Sequence, residues 1–400
     1  MFNVVLFGIV SLLTDISSEM VYPLLPIFLS TALGASPAII GIIEGIAESL
    51  ASLLKVFSGY LADKTQKKKE LTISGYSGSL LGKLVLVLAG SWGGVMLSRI
   101  IDRLGKGIRT APRDALIADS MQKGSRGYAF GLHRAMDTMG AVIGVIIAFV
   151  LVSGNITDFK RIFWFSTIPA LLGIIALLFV KRPSKIKSVK KEFSFAWSKL
   201  DTKLKKFLIL AFIFTLGNSS NQFLLLRASK LGVSTPNVLL LYMAFNISYA
   251  LVSIPAGKLS DLIGRKRVLV TGYLIYAIVY FGFAQVTQTS TLWLLFIVYG
   301  LYTAFTDGVE KALLSDIAPS DLRGTVIGMH AALVGVALLP ASFIAGILWD
   351  NFGAQTPFYF GAGMGLLAVI GLLFIFRDSK APTIFGILKY KLRMFYSSKP

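Results

Sequence analysis

Twelve stretches of mostly apolar residues run along this 400-residue chain, each about as long as the 20 residues that a helix needs to cross a bilayer. Such a segment satisfies all of its backbone hydrogen bonds inside lipid only when it is helical. The sequence therefore predicts an all-α membrane protein with twelve transmembrane helices. The predicted spans cover residues 4–30, 36–60, 71–90, 92–118, 127–153, 159–180, 206–228, 236–258, 267–287, 291–316, 324–348 and 356–377.

The distribution of charge predicts the orientation. The chain has 40 Lys+Arg against 20 Asp+Glu, an excess that would suggest nucleic-acid binding in a soluble protein. Here alternate loops hold the excess, because 181–206 contains ten Lys or Arg while 31–38 and 88–91 carry no charge. Basic loops stay on the cytoplasmic side. We therefore expect a plasma (inner) membrane protein with both termini cytoplasmic, with membrane lipid and no nucleic acid among its partners.

The chain also repeats itself. The segment Gly59-Tyr-Leu-Ala-Asp63-Lys64 recurs as Gly257-Lys-Leu-Ser-Asp261 after a shift of 198 residues. Four further residues recur after a shift of 197, namely Asp119, Arg126, Gly131 and His133 as Asp316, Arg323, Gly328 and His330. A nearly constant offset predicts two pseudo-symmetric six-helix bundles. We expect Gly59 and Gly257 to let neighbouring helix backbones approach closely, and the two histidines to share a structural role.

These halves set the expected domain boundaries. Residues 1–180 form the N-terminal bundle, and 207–378 form the C-terminal bundle. Between them, 181–206 is a basic cytoplasmic linker in which aromatic residues alternate with lysines, which predicts an amphipathic helix at the membrane surface. Residues 379–400 are a basic cytoplasmic tail with the same amphipathic pattern.

The repeated loop segment resembles that of the major facilitator superfamily of secondary transporters. The family motif is Gly-x-Leu-x-Asp-Arg/Lys-x-Gly-Arg/Lys-Arg/Lys after spans two and eight. Its second copy is nearly complete, whereas the first has Gln66 in place of the second glycine. Arg103-x-x-x-Gly107-x-x-x-Ala111 is similar to the family's span-four motif, but Val145 stands where the antiporter motif of span five has proline. The resemblance implies alternating access, with the loop motif latching one state through Gly59, Asp63, Lys64, Gly257, Asp261 and Arg265.

Charges inside the predicted spans mark the candidate site. A charge inside a bilayer costs roughly 2.5–3.5 kcal/mol, so each must be paired or face a water-filled cavity. Asp15 and Glu19 lie one helical turn apart and repel each other unless a proton or a cation is present. We expect them to bind the coupling proton. The residues predicted to line a central cavity in this half are Asp15, Glu19, Glu44, Glu48, Arg103 and Lys106.

Two of these assignments have structural alternatives. Lys55 shares a helix face with Glu44 and Glu48 and could pair with them, while Arg103 could either orient the acids or bind an anionic substrate group. Near the cytoplasmic ends of spans four and five we predict a structural ion-pair cluster of Arg109, Arg113, Asp114, Arg134 and Asp137. In the C-terminal half the predicted cavity residues are Asn218, Asn221, Gln222, Tyr242 and Asn246, whereas Tyr273, Tyr276 and Tyr280 are expected to pack in the core.

The sequence thus predicts a secondary active transporter for proton-coupled export of a small amphiphilic or drug-like solute. Transport of an organic anion, using the bases of span four, and transport of a divalent metal by Asp15 and Glu19 are the alternatives. ATP is not the expected energy source, since the chain has no phosphate-binding Gly-x-x-x-x-Gly-Lys-Ser/Thr loop. Enzymatic activity is not expected, since the chain has no His-Glu-x-x-His and no Gly-x-Ser-x-Gly. With no cysteine, disulfides and thiolate metal sites are excluded. We expect a monomer with no cofactor and no resident metal.

Overall fold

The computed structural model of the chain describes residues 2–120, 126–154, 158–181, 197–319 and 322–377. Within these ranges every regular element is helical. Most of the predicted linker helix and the whole predicted tail helix lie outside the described residues. The described end of the linker is a short helical turn at Trp197–Lys199, and the seventh span begins at Thr202, before the predicted position.

Twelve long helical segments confirm the predicted spans. In the N-terminal half they are Phe2–Ala32, Pro37–Thr65, Lys68–Leu88, Trp92–Asp119, Arg126–Ser153 and Phe159–Leu178. In the C-terminal half they are Thr202–Lys230, Thr235–Ile263, Arg265–Gln285, Thr289–Ile317, Arg323–Phe352 and Thr356–Ile375. These segments are called spans one to twelve below. The spans begin and end within a few residues of the predicted positions.

Local chemistry sets several of these boundaries. The side chain of Ser36 accepts a hydrogen bond from the Ile39 backbone N–H and caps span two, and Ser91 caps span four in the same way. After spans two and eight the chain turns through a left-handed residue, Gln66 with φ 56° and Gly264 with φ 97°. Glycine adopts this conformation freely, whereas an L side chain there costs roughly 1–2 kcal/mol. Both copies of the loop motif therefore turn through a positive φ, but ψ is 15° at Gln66 and 140° at Gly264, so the two turns differ in geometry.

Two spans are too charged to cross a membrane alone. Ten of the described long helices are apolar enough by composition, and the exceptions are Pro37–Thr65 and Trp92–Asp119. These two pack against each other inside the N-terminal half. Their charges therefore face one another and the interior rather than lipid, as the cost of a charge in hydrocarbon requires.

Spans one and seven are broken at repeat-equivalent places. The regular helix of span one stops at Glu19 and continues from Tyr22 as short helical segments that include Pro23 and Pro26. Span seven stops at Gly217 and resumes at Gln222. A break at membrane depth is stable only where it is buried in protein or lines a cavity. Both breaks therefore expose backbone polar groups near the centre of the molecule, where they are available to line a binding site.

The two ends of the bundle differ. We call the end that carries Thr65, Lys68, Asp119, Arg265 and Arg323 the basic face, and the opposite end the distal face. Near the distal face the halves are in close contact along spans two and eleven. A Cβ added to Gly41 would overlap the Ser342 carbonyl oxygen, and one added to Gly346 would lie 2.6 Å from the Pro37 carbonyl oxygen. Only glycine permits such an approach, so the distal face is closed.

Toward the basic face the halves separate. Gly257 and Gly328 have no neighbouring atom within 4 Å of an added Cβ, and Gly59 meets only the Ala111 side chain of its own half, at 3.4 Å. The prediction that Gly257 allows a close helix approach is therefore wrong for this structure, and at Gly59 the contact is of ordinary length. The close approach between the halves is made instead by glycines near the distal face, because that is where they touch.

Candidate functional site

A cavity of about 380 Å³ lies between the two halves at the level of the two broken spans. Its N-terminal wall is charged, and its C-terminal wall is built from neutral amides and hydroxyls. The charged residues that line it are Asp15, Glu19, Glu48, Asp102, Lys83, Arg99, Arg103, Lys106 and Arg109. The residues across from them are Asn218, Ser219, Ser220, Asn221 and Tyr242. Five of the six predicted N-terminal cavity residues thus line the cavity.

Glu44 is the exception. Its side chain is 0% exposed and accepts two hydrogen bonds of 2.7 Å each from Arg99. Glu48 pairs with Arg103 at 2.8 Å. The partners of both glutamates therefore come from span four rather than from Lys55. Glu44 braces spans two and four beneath the cavity wall, because a buried carboxylate needs a hydrogen-bonded counter-charge.

Asp15 has a partner that the sequence analysis placed elsewhere. Its carboxyl group is hydrogen-bonded to the carboxyl group of Asp137 on span five. The hydroxyl of Ser11 donates to the other side of this pair, at 2.5 Å from Asp137. Two carboxyl groups in contact repel each other when both are ionised, and one shared proton removes that repulsion. Asp137 was predicted to belong to a structural cluster, and besides its contact with Arg134 it adjoins the acidic site on span one.

Glu19 lies one turn further along. Its carboxyl group is beside the hydroxyl of Tyr242 from the opposite half, and its Oε2 atom is buried without a hydrogen-bond partner among the described residues. Asp15 and Glu19 are therefore both at the cavity but have different surroundings. Asp15 contacts a second acid, whereas Glu19 faces the C-terminal wall.

Three basic side chains at the cavity make no ion pair within the described part of the chain. Lys83 donates to Ser17 and, at 3.2 Å, to Ser18. Arg109 donates to Ser79 and lies over the Tyr76 ring at 4.4 Å. Lys106 is exposed to the cavity. Because buried or enclosed charges are normally paired, these three leave a positive potential on this wall.

Lys83 was missed by the sequence analysis. It is a single lysine in the otherwise uncharged stretch between Leu71 and Ser98, and that isolation was the available signal. Arg99 and Asp102 of span four also line the cavity and were not among the predicted site residues. Arg99 reaches Asp102 at 3.7 Å and Glu48 at 4.0 Å, so it connects these two acids of the wall with the buried Glu44.

The predicted structural cluster is not a single cluster. Arg113 pairs with Asp114 at 2.8 Å, and Arg134 lies 3.5 Å from Asp137. Arg109 belongs to the cavity wall. Spacing on one helix is enough to indicate the two ion pairs but not the position of Arg109, whose partners Ser79 and Tyr76 lie on span three.

The C-terminal wall contains three of the five predicted residues. Asn218, Asn221 and Tyr242 line the cavity. Gln222 is fully buried away from it, and neither of its amide atoms has a hydrogen-bond partner among the described residues. Asn246 donates to the Tyr242 carbonyl of its own helix at 2.9 Å. This wall is formed by the broken segment of span seven together with Tyr242 of span eight.

Tyrosines from spans nine and ten hold that broken segment. Tyr276 donates to the Gly217 carbonyl at 2.7 Å, and Tyr299 donates to Asn221 at 2.8 Å. Tyr302 accepts from Asn218 at 3.0 Å. The expected packing of Tyr273, Tyr276 and Tyr280 agrees with their complete burial, and the hydrogen bond of Tyr276 adds a second role.

The loop motif forms ion pairs at the basic face. Arg265 pairs with Asp261 and lies 3.3 Å from Asp316. In the first half, Lys68 pairs with Asp119 at 2.8 Å, the position that matches Asp316 after the shift of 197 residues. Lys64 is exposed, and the side chain of Asp63 lies outside the described part of the structure. These pairs lie within each half and brace adjacent spans.

Comparison with known proteins identifies the family. The model of the Major Facilitator Superfamily matches residues 7–226 and 207–389. The chain belongs to this superfamily. It is 39% identical over 381 residues to an uncharacterised MFS-type transporter of Methanocaldococcus jannaschii, covering 93% of this chain and 94% of that one. It is also 27% identical over 159 residues to the quinolone resistance protein NorA of Staphylococcus aureus, covering 40% and 41% of the two chains.

Solved structures support the same fold. A nucleoside transporter has a TM-score of 0.77 at 15% identity, with 95% of this chain and all of that chain covered. A human organic anion transporter has a TM-score of 0.67 at 15% identity, with 92% and 98% covered. At these identities the likeness shows the fold alone. The chain is a multi-pass membrane transporter of the superfamily, whose family and fold are those of transporters rather than enzymes.

Proposed function

We propose that this protein is a proton-coupled secondary transporter for a small organic solute that carries an anionic group. The two halves rock about the central cavity so that the basic face and the distal face open in turn. The conformation with an open basic face and a closed distal face is one of the two end states of that cycle. We place the basic face in the cytoplasm of a plasma membrane, because lysine and arginine concentrate there, and we propose that the transporter is a monomer.

The carboxyl pair of Asp15 and Asp137 carries the proton-coupling proposal. A shared proton is the expected state of two carboxyl groups in hydrogen-bond contact. Asp15 also lines the cavity, so the proton is held where a solute would bind. A solute or a change of conformation that alters the surroundings of Asp15 therefore alters proton binding by the pair.

The three bases without ion pairs support an anionic solute. Lys83, Lys106 and Arg109 lie on one wall of the cavity, and an anion placed there would relieve their mutual repulsion. The neutral amides and hydroxyls of the opposite wall suit the polar remainder of such a molecule. A volume of about 380 Å³ is in the range of small-molecule sites, roughly 300–1,000 Å³.

Export of an amphiphilic or drug-like solute is the second candidate. The match to a quinolone resistance protein over 40% of the chain favours it. The charged cavity wall favours a small polar anion over a lipophilic molecule, since pockets for the latter are mostly apolar. For a divalent metal, no group of three His, Asp or Glu within the described residues is arranged to hold an ion, so the geometry gives that alternative no support.

Purified protein in proteoliposomes with an internal pH dye tests the proposal. A panel of small carboxylates and phosphates, lipophilic cations and divalent metals is first ranked by thermal stabilisation, because a ligand that binds the folded state raises the melting temperature. The stabilising compounds are then added outside, and proton movement is recorded. We expect stabilisation and proton movement with organic anions. Proton movement with lipophilic cations alone would support drug export, and transport of the anion without proton movement would overturn the coupling.

A further inference from the structure

A line of polar contacts leads from the carboxyl pair to the opposite half of the molecule. Arg134 lies 3.5 Å from Asp137 through its Nη1 atom, and its Nη2 atom donates to the Tyr249 hydroxyl at 3.2 Å. Tyr249 donates in turn to Asp307 at 3.0 Å, and Lys311 pairs with the other oxygen of Asp307 at 2.6 Å. The contacts join spans five, eight and ten without a gap.

The bond between Arg134 and Tyr249 crosses from one half to the other. Arg134 is on span five of the N-terminal half, eight residues from the start of that span at the basic face. Tyr249 is on span eight of the C-terminal half. The bond therefore lies between the basic face and the middle of the membrane, where spans five and eight contact each other, apart from the packed seam of spans two and eleven. Rocking of the halves changes the distance between spans five and eight, and with it the length of this bond.

The guanidinium of Arg134 contacts one acid directly, Asp137, and reaches a second, Asp307, through the Tyr249 hydroxyl. Asp307 already has Lys311 as a counter-charge at 2.6 Å. The charge of Asp137 instead depends on the proton that it shares with Asp15. When that proton is present the pair carries one negative charge, and when it leaves the pair carries two. The pull of Asp137 on Arg134 therefore rises when the proton is lost.

We propose that Arg134 is the positioning residue that transmits loss of the proton at Asp15 and Asp137 to Tyr249, and thereby to the separation of the halves at the basic face. Deprotonation draws the guanidinium to Asp137 and breaks its bond to the neutral Tyr249 hydroxyl, which is the weaker of the two attractions. Protonation reverses this and restores the bridge between the halves. The inference rests on the proposed proton site. It adds the contacts through which protonation of that site changes the separation of the two halves.

Other charged groups lie close to these contacts, and their effect on any pH response must be distinguished from that of Arg134. Glu19 and Lys106 lie near Asp15, while Arg113 and His133 lie near Asp137. Asp307 and Lys311 face Arg134 from span ten. Histidine is the one among them whose unperturbed side chain changes charge near neutral pH. His133 is therefore the group whose titration has to be excluded by experiment.

The chain has no cysteine, so spin labels can be attached at chosen positions. Phe130→Cys on span five and Leu262→Cys on span eight place labels on exposed sites toward the basic face. Distances between them are measured by electron–electron resonance in lipid nanodiscs from pH 5 to 8.5, without a gradient. In the otherwise unchanged protein we expect the longer distances to gain population as the pH rises.

Tyr249→Phe removes only the hydroxyl and should abolish this pH response, as should Arg134→Gln. Tyr359→Phe, at the distal face, and His133→Asn should keep it. A full response in both Tyr249→Phe and Arg134→Gln, or its loss in His133→Asn, would overturn the role of Arg134.

Asp15→Asn separates this inference from the proton site on which it rests. If Asp15→Asn abolishes the response and Tyr249→Phe does not, the proton site stands and the route through Arg134 fails. An undiminished response in Asp15→Asn would show that the proton site itself is wrong. No response in the labelled parent protein would overturn the route, while substrate-driven proton movement would still test the site independently.

Discussion

The guanidinium of Arg99 and the carboxylate of Glu44 form two parallel hydrogen bonds of 2.7 Å in the seam between spans four and two. Both side chains are buried, and this bidentate geometry is the strongest form of a carboxylate–arginine contact. It explains how the two spans that are too charged to cross a membrane alone are accommodated. Their charges satisfy each other inside the bundle, and the apolar faces of the remaining spans face lipid.

Glu44→Gln is expected to reduce stability more than it reduces proton coupling. The substitution leaves Arg99 buried with only the longer contacts to Asp102 and Glu48, and breaking a buried ion pair costs about 3–5 kcal/mol. Thermal unfolding in detergent measures the loss, with Asp158→Asn at the exposed cap of span six as the control. Normal stability combined with loss of proton movement would instead place Glu44 in the coupling site.

Lys106→Gln is expected to raise the KM for an anionic solute. The variant removes an unpaired positive charge from the cavity wall, and a hydrogen bond to a charged group contributes about 1.5–3 kcal/mol, or roughly 10- to 100-fold in affinity. Lys106→Arg should retain most of the affinity, and Lys230→Gln, at the exposed distal end of span seven, should have no effect. Uptake kinetics in proteoliposomes measure both. An unchanged KM in Lys106→Gln would show that the anion is held elsewhere.

Gly41→Ala is expected to shift the protein away from the state that is open at the basic face. Its new Cβ would overlap the Ser342 carbonyl oxygen, so the distal seam could no longer close fully. Gly257→Ala is the matched control, because the space beside that glycine is open. The same pair of spin labels on spans five and eight reports the change as a shift to shorter distances. Equal distance distributions in the two variants would mean that the distal seam does not determine the state.

The fold could be predicted from the sequence because each span is identified by the residues within it. Length and hydropathy identify the helices, and the repeat offset identifies the two halves. Even the charged spans two and four were predicted, since each still contains a mostly apolar stretch long enough to cross a bilayer. What the local pattern could not give is which helix supplies the partner of each charge.

The candidate site shows this limit most clearly. Asp137 was predicted to belong to an ion-pair cluster with arginines of spans four and five. It does lie 3.5 Å from Arg134, but its carboxyl group also meets Asp15 across the bundle. Asn246 has the right spacing to face the cavity, but it bonds to its own backbone. Which of several polar side chains on a helix reaches the cavity depends on the rotation of that helix, and tertiary packing sets the rotation.

Infrared difference spectroscopy of the protonated-carboxyl band tests the central claim most directly. We expect the purified protein at neutral pH to show a protonated carboxyl that disappears in both Asp15→Asn and Asp137→Asn and persists in Glu48→Gln, whose parent carboxylate is held by Arg103. The same two variants should lose substrate-driven proton movement in proteoliposomes. A band that survives in Asp15→Asn and Asp137→Asn, with proton movement unchanged, would contradict the account.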